Sequence, residues 1–170
     1  MKFTVLLIIL TIFISCNVSN NHTSFQNSHS IIAVNQGNNY TFKIDTLSFK
    51  KRISKAIFSK ESNVQYNKIN IVKQKSINSD DSFFLLILYC KEKNLKTAKL
   101  LKLNNNYLII DNKNSFEKTF ISCVGGKDCF PNIFKKKDNS FGWSCSSNIS
   151  ECFIDDNGKC KSFKSILIEE

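Results

Sequence analysis

Apolar and polar residues change their period along the chain, and the changes predict its secondary structure. Tyr40–Ile44 alternates apolar and polar positions, which is typical of a strand with one buried face. From about Leu47 to Ser59 the apolar residues recur at helical spacing, with Asp45 or Thr46 placed to cap the first turn. The apolar residues that share one face of this predicted helix are Phe49, Ile53, Ala56 and Ile57.

Strand patterns dominate the middle of the chain. The run Phe83–Cys90 is apolar throughout, which predicts a central strand buried on both faces. A turn is predicted at Asn78–Asp81 before it, and a hairpin loop at Asn104–Asn106 after it, because Asn tolerates positive φ. Other predicted strands are Val64–Val72, Thr97–Leu103, Tyr107–Asp111 and Thr119–Ser122, and Ile31–Val34 is a candidate for a short first strand.

This order of elements predicts the fold class and the domains. One helix followed by an antiparallel meander indicates an α+β core domain over residues 39–122, with the helix packed on the sheet. Residues 123–170 differ, because they hold five cysteines, the only Trp and the only Pro. We therefore expect a small disulfide-rich C-terminal module and tail after the core domain.

The N-terminal segment has the pattern of a signal for export. Lys2 precedes an apolar run, Phe3–Ile14, that is shorter than the roughly 20 residues of a membrane span. The run ends in Phe13-Ile14-Ser15-Cys16, which resembles a bacterial lipobox, although Leu is more usual than Phe13 in that motif. The alternative is an ordinary signal peptide in which Cys16 occurs by chance.

The lipobox resemblance implies a membrane anchor. Residues 1–15 would be the signal peptide, cut before Cys16, and Cys16 would carry the acyl chains; two such chains anchor a protein stably. Residues 16–38 are polar without a period and are predicted to be a flexible tether. Asn17, which is not acidic, implies by resemblance to known sorting rules an outer-membrane lipoprotein facing the periplasm.

Net charge is +10, from 24 basic and 14 acidic side chains, and Arg52 is the only arginine. Nucleic acid is not the expected partner, since an exported chain rarely meets it and Lys lacks the bidentate guanidinium fork. Weak contact with anionic lipid headgroups fits this charge better. The lysines of the predicted helix are interpreted as a solvated face.

Catalytic motifs are scarce. His22 and His29 both fall in the predicted tether, so no histidine remains in the folded part for a nucleophile pair or a zinc site. No glycine-rich phosphate loop occurs. The carboxylate pairs Asp80–Asp81 and Asp155–Asp156 lie in turn sequences and are interpreted as solvated charges. The sequence predicts neither an enzyme, nor a cofactor, nor a metal site.

The cysteines that remain after Cys16 favour disulfides, because an exported chain is oxidised and no close C-x2-C pair suggests zinc or iron–sulfur ligation. Sequence alone does not choose among the pairings. Five lie in the tail, so full oxidation would require Cys90 to bond to a tail cysteine; the alternative is that Cys90 is a buried free thiol. The disulfide candidates are Cys90, Cys123, Cys129, Cys145, Cys152 and Cys160.

The tail pattern "CVGGKDCFP…GWSC…C" resembles the cysteine-rich C-terminal segment of small uncharacterised lipoproteins of Bacteroidota-type bacteria. The resemblance covers about 40 residues and implies no activity. In those proteins further cysteines stand where this chain has Gly126 and Asn148, which implies that one disulfide has been lost here.

Three functional hypotheses follow. The first is a membrane-anchored cell-envelope lipoprotein that acts as a binding or structural module for an unknown protein or small molecule. The second is an envelope enzyme or inhibitor that uses Asp, Lys or Tyr in a cleft between sheet and helix. The third is a eukaryotic secreted disulfide-rich glycoprotein, suggested by glycosylation sequons at Asn21, Asn39 and Asn148.

Overall fold

The structure, a computed structural model, describes residues 30–37, 39–58, 63–146 and 160–167. The helices within these residues are α1 (Thr46–Ile57) and α2 (Ser115–Lys118). The strands are β1 (Ser30–Gln36), β2 (Asn39–Phe42), β3 (Lys68–Lys75), β4 (Ser82–Cys90), β5 (Leu95–Asn104), β6 (Tyr107–Ile110), β7 (Thr119–Gly125), β8 (Asn132–Lys135), β9 (Phe141–Ser144) and β10 (Cys160–Ile166).

The long strand β5 organises the main sheet, in which every pairing is antiparallel. It pairs with β4 over residues 95–101, with β7 over 95–99 and with β6 over 102–104. From these neighbours the sheet continues to β3 beyond β4, to β10 beyond β7, and through β1 to β2 beyond β6. Strands β8 and β9 form a separate hairpin.

The strand β4 is covered on both faces, as its apolar run predicts. On one face Leu86 and Leu88 pack in a core with Phe49 and Ile53 of α1. On the other face Leu85 and Ile87 pack with residues of the β8–β9 hairpin. The fold therefore has three layers, with the sheet between the helix and the hairpin. Burying each of these apolar side chains contributes about 1.5–3 kcal/mol to stability.

The helix α1 begins as predicted. The carboxylate of Asp45 accepts a hydrogen bond from the backbone N–H of Leu47 at 2.9 Å, which satisfies one of the first free donors of the helix. The helix ends at Ile57, two residues before the predicted end, because Phe58 is extended and packs its ring against Phe163 at 5.4 Å. Ala56, which was predicted on the apolar face, is exposed.

The sheet begins at Ser30 rather than at residue 39. Strand β1 lies between β2 and β6, and Ile32 and Ala33 are buried, which confirms the candidate first strand. Residues 30–36 therefore belong to the folded domain, and residues 16–29, which lie outside the described residues, are what remains of the predicted tether.

The C-terminal region is built onto the sheet and not beside it. The predicted boundary between residues 122 and 123 falls inside β7, and β10 pairs with β7 over seven residues. The α+β class with a disulfide-rich C-terminal region is confirmed. The bond Cys123–Cys145 ties β7 to the end of the β8–β9 hairpin, and Cys129–Cys160 ties the loop after β7 to β10.

The expected disulfide between Cys90, at the end of β4, and a tail cysteine is wrong. Cys90 is a free thiol, 2% exposed, in the core beneath α1. Cys123 packs in the core on the opposite face of the sheet, with the hairpin, so the two sulfurs are kept apart. Cys152, the remaining tail candidate, lies outside the described residues.

Candidate binding groove

A groove of about 610 Å³ runs between the β8–β9 hairpin, α2 and β10. This volume lies within the roughly 300–1,000 Å³ of small-molecule sites. The groove is lined by aromatic rings, hydroxyl groups, two lysines and one glycine. The lining residues are Ser115, Phe116, Thr119, Phe134, Lys136, Phe141, Gly142, Trp143, Ser162, Phe163 and Lys164.

The aromatic wall is held rigid by contacts among its rings. Phe116 stacks on Trp143 with ring centroids 5.1 Å apart, and Phe141 meets Phe83 edge-on at 4.8 Å. Trp143 is only 3% exposed, and its indole N–H donates to the backbone carbonyl of Phe116 at 3.4 Å. Phe116 and Phe141 are half-buried and present apolar surface to the groove.

Gly142 allows the aromatic ring of Phe134 to lie against the hairpin backbone. A Cβ atom at residue 142 would stand 2.5 Å from Cζ and 2.7 Å from Cε1 of Phe134. Any larger residue would therefore displace that ring from the groove wall.

The charge of the groove is positive. Lys136 and Lys164 line it, and the lining residues that the structure describes include no carboxylate. The neighbouring Lys135 instead directs its ammonium to Asp81, at 3.5 Å. This arrangement favours a ligand that joins an anionic group to apolar surface.

Two further cavities lie along α1 on the other side of the sheet. They measure about 360 and 780 Å³, and Lys51 and Lys55 line both. Leu47 at the start of the helix is 57% exposed. Phe49 and Ile53 are buried while these lysines are exposed, so α1 is a core-packed helix with a basic outer face.

The polar groups between sheet and helix form a buried network. The hydroxyl of Tyr66 donates to Thr97 Oγ1 at 2.6 Å, and Thr97 is 2.8 Å from Ser122 Oγ. Burial raises the pKa of Tyr66 well above its ordinary value, so its hydroxyl stays protonated as a donor. These contacts give the network a structural role within the core.

Lys99 is the largest fully buried side chain among the described residues, with 1% exposure. Its ammonium donates to Asn112 Oδ1 at 2.8 Å and to the backbone carbonyl of Glu117. It also lies 4.8 Å from the ring centroid of Phe120. Sequence patterns give no reason to single out this lysine.

Several of the described carboxylates lie beside cations or hydroxyls. Asp111 is buried and lies 3.1 Å from the ammonium of Lys102. Burial alone would raise the pKa of Asp111, but its hydrogen bonds and charge interactions with Lys102 and Lys113 hold it below the ordinary value. Asp80 is exposed beside Lys75 at 2.9 Å, which confirms the solvated turn.

Several sequence-predicted residues fall outside the described residues: Cys16, Cys152, both histidines, the pair Asp155–Asp156, and the sequons at Asn21 and Asn148. Asn39 is described and is exposed at the start of β2. Within the described ranges, no three His, Cys, Asp or Glu side chains are grouped as metal ligands would be. In that same part of the chain no helix has the length and apolar character to cross a membrane.

The aromatic groove was not predicted from the sequence. The composition of the C-terminal region, with its five cysteines and the only Trp, distinguishes it from the rest of the chain. The groove, however, depends on the pairing of β10 with β7, which no local pattern predicts. Comparisons with protein families, with curated proteins and with solved structures find no match for this chain.

Proposed function

We propose that the protein is a lipid-anchored module of the bacterial cell envelope that binds a ligand in the aromatic groove. The observation that carries this proposal is a wall of packed aromatic rings in a groove that two lysines also line, with no carboxylate among the described lining residues. Ligand sites combine apolar surface with a few oriented polar groups in this way. The disulfide Cys123–Cys145 supports the site by fixing the hairpin to the sheet.

Binding fits the lining better than catalysis does. The groove offers hydroxyls and ammonium groups, whereas general acid–base chemistry ordinarily pairs a carboxylate or an imidazole with its reacting atom. The described lining contains neither group. The residues can therefore hold and orient an anionic ligand, which is the task of a binding module.

The proposed anchor orients this site. Cys16 would hold the chain at an outer membrane facing the periplasm, as in the Bacteroidota-type lipoproteins that the tail resembles. If residues 17–29 act as the tether, the domain stays within roughly 20 Å r.m.s. of the bilayer. Helix α1 and the hairpin lie on opposite faces of the sheet, so a basic helix face turned to the membrane leaves the groove facing away.

Replacing the proposed lipid acceptor should release the protein from membranes. We expect Cys16→Ser to leave the protein soluble or uncut, because two acyl chains supply the anchoring energy. Fractionation, palmitate labelling and intact mass measure this. Ser15→Ala is the matched control, since it keeps a small residue before Cys16 and should remain lipidated. A native mature protein whose unmodified N-terminus lies beyond residue 16 would contradict the proposal.

The basic face of α1 should contribute little to localisation. A Cys16→Ser chain without its signal peptide should bind phosphatidylglycerol vesicles weakly and lose that binding as salt rises. Co-sedimentation measures this. The pair Lys51→Glu and Lys55→Glu should remove the residual binding, whereas Lys91→Glu with Lys93→Glu, in an exposed turn, should not. Tight binding that resists salt would instead make α1 a membrane element.

A further inference from the structure

Strand β3 has an open outer edge. It pairs with β4 in unbroken antiparallel register from Lys68 to Lys75, and no described strand lies on its other side. The residues that lead into it and out of it, 63–67 and 76–81, belong to the described part of the chain as well. The free side of this strand can therefore be followed over its whole length.

The register determines which backbone groups face outward. Just after the strand, the Ser76 N–H donates to the Asp81 carbonyl at 2.8 Å, in the same register as the β3–β4 pairs. Hydrogen-bonded and non-hydrogen-bonded pairs alternate along an antiparallel ladder. The outward-facing backbone groups therefore belong to every second residue, namely Ile69, Ile71, Lys73 and Lys75.

Contacts close this edge at both ends and leave its middle open. At the start, the Lys50 ammonium of α1 donates to the Asn67 carbonyl at 3.2 Å. Beyond the end, the Ile77 N–H donates to the Ile133 carbonyl of β8 at 2.9 Å. Between these contacts, over residues 69–75, no described residue bonds the outward backbone groups. We call this stretch of edge the β3 slot; unpaired N–H and C=O groups of this kind form a template to which an extended chain can add.

The side chains beside the β3 slot supply apolar surface and positive charge. Ile69 and Ile71 are half-buried against the core on the helix side, and Val72 is half-buried on the hairpin side. Lys73 is exposed, with its ammonium 5.6 Å from the ring centroid of Phe84. The strand contains three lysines and no acidic residue. The slot therefore suits a chain that carries both apolar and acidic side chains.

From these observations we infer that an extended acidic segment of a partner protein adds to the β3 slot as a further strand of the sheet. Its backbone pairs with the outward groups of β3, its apolar side chains lie beside Ile71 and Val72, and its carboxylates meet Lys68 and Lys73. Strand addition takes affinity from backbone hydrogen bonds and specificity from the side chains beside them. Strand β3 contributes no residue to the lining of the aromatic groove, so this partner site goes beyond the proposed function and does not depend on it.

Charge disfavours a second copy of the chain as the occupant. Two β3 strands paired at their open edges would bring the lysines of both together, with no carboxylate in either strand. Like charges that face each other across strands are destabilising, and lysines on edge strands prevent self-association in this way. An acidic strand reverses the sign of the interaction, so the same lysines select it.

Hydrogen exchange with a selected peptide tests the inference. The probe is a displayed library of peptides of about ten residues, selected against the oxidised Cys16→Ser chain without its signal peptide. In the free protein the amides of Ile71 and Lys73 should exchange fast, and those of Asn70 and Val72 slowly, because only the latter pair with β4. We expect enriched peptides to be acidic and to slow exchange at Ile71 and Lys73. Absence of enrichment, or slowed exchange at other surfaces only, would overturn the inference.

Proline at residue 73 separates backbone pairing from charge. Proline has no N–H and is tolerated on an edge strand where that group faces solvent. Lys73→Pro should therefore keep the pairing of β3 with β4 but abolish peptide binding. Lys73→Gln, which loses only the charge, should weaken binding roughly threefold. If the two variants bind the peptide equally well, strand addition is wrong.

The same question can be asked of the unaltered protein. Enriched peptides methylated on alternate backbone nitrogens should lose binding in only one of the two alternating sets, because one set points its N–H groups at β3 and the other points them away. Unchanged binding by both sets would overturn strand addition whatever the stability of the Lys73→Pro variant.

Matched charge reversals separate the β3 slot from general attraction to a basic protein. Lys68→Glu with Lys73→Glu should weaken peptide binding by about tenfold or more, since each change turns an attraction across the strands into a repulsion. The control is Lys127→Glu with Lys161→Glu, the same charge change at exposed positions near the opposite end of the sheet, which should have little effect. Equal losses from the two pairs would contradict the inference.

Discussion

Removing the Cys123–Cys145 bond should lower the free energy of unfolding by about 3 kcal/mol, the chain-entropy value for a closed loop of this length. This is a large part of the roughly 5–15 kcal/mol that stabilises an ordinary domain. We expect the double variant Cys123→Ala, Cys145→Ala to show the loss.

The position of the bond explains why the loss should also affect structure. The β8–β9 hairpin pairs only with itself, and an isolated two-stranded hairpin is marginally stable in water. Ile133 and Trp143 are the hairpin side chains that bury the outer face of Leu85 and Ile87. Without the bond, the hairpin and its aromatic wall are held by this packing and by hydrogen bonds with the turn between β3 and β4, where the Ile77 N–H donates to the Ile133 carbonyl at 2.9 Å and the Asn78 side chain bonds the backbone of Lys135.

Urea unfolding followed by Trp143 fluorescence measures the change, since this is the only tryptophan. Cys90→Ala is the matched control, because it removes a buried sulfur that makes no disulfide and should cost about 1 kcal/mol. Peptide mapping without reduction should recover Cys123 bonded to Cys145 and Cys129 bonded to Cys160, with Cys90 free. A disulfide at Cys90, or a double variant as stable as the wild type, would contradict the prediction.

Local patterns predicted the elements whose causes are local. The apolar run of β4 lies in a strand that both cores cover, and the cap at Asp45 lies within one turn of the residues it bonds. The Asn-rich hairpin turn likewise follows from Asn105, which adopts a positive φ of 54°. In each case the physical preference acts within a few residues of the signal.

The remaining features depend on contacts between distant residues. Strand β10 is rich in Lys and Ser and has no clear strand pattern; it forms because β7 supplies a partner and Cys129 fixes its first residue. The expected bond at Cys90 assumed that all six cysteines are oxidised. The side of the sheet on which each sulfur lies depends on the topology, which spacing alone does not determine.

The burial of Lys99 also depends on contacts with distant residues, so the local sequence does not predict it. The sequence of β5 predicts an exposed polar side chain at residue 99, because this lysine lies between apolar neighbours. Because β4 and β7 flank it on either side and Phe120 lies against it, the strand is interior at this point. A buried lysine is tolerated in that position because Asn112 Oδ1 and the Glu117 carbonyl accept hydrogen bonds from its ammonium.

Truncating this lysine should therefore be among the most costly single substitutions in the chain. We expect Lys99→Ala to lower the free energy of unfolding by about 4 kcal/mol, since emptying a large buried site costs roughly 2–5 kcal/mol. The substitution also leaves Asn112 Oδ1 and the Glu117 carbonyl without this donor. An oxygen left unsatisfied in the interior costs about 1–3 kcal/mol.

Lys99→Met separates packing from hydrogen bonding. Methionine keeps most of the buried volume but donates no proton, so we expect a loss of about 2 kcal/mol, the cost of the unsatisfied oxygens alone. Urea unfolding measures both variants, and Lys91→Met, at an exposed turn, controls for the change of residue type and should be neutral. Equal losses from Lys99→Ala and Lys99→Met would show that the hydrogen bonds alone matter. If Lys99→Ala were as stable as the wild type, the ammonium would not be buried against Phe120 as the structure has it.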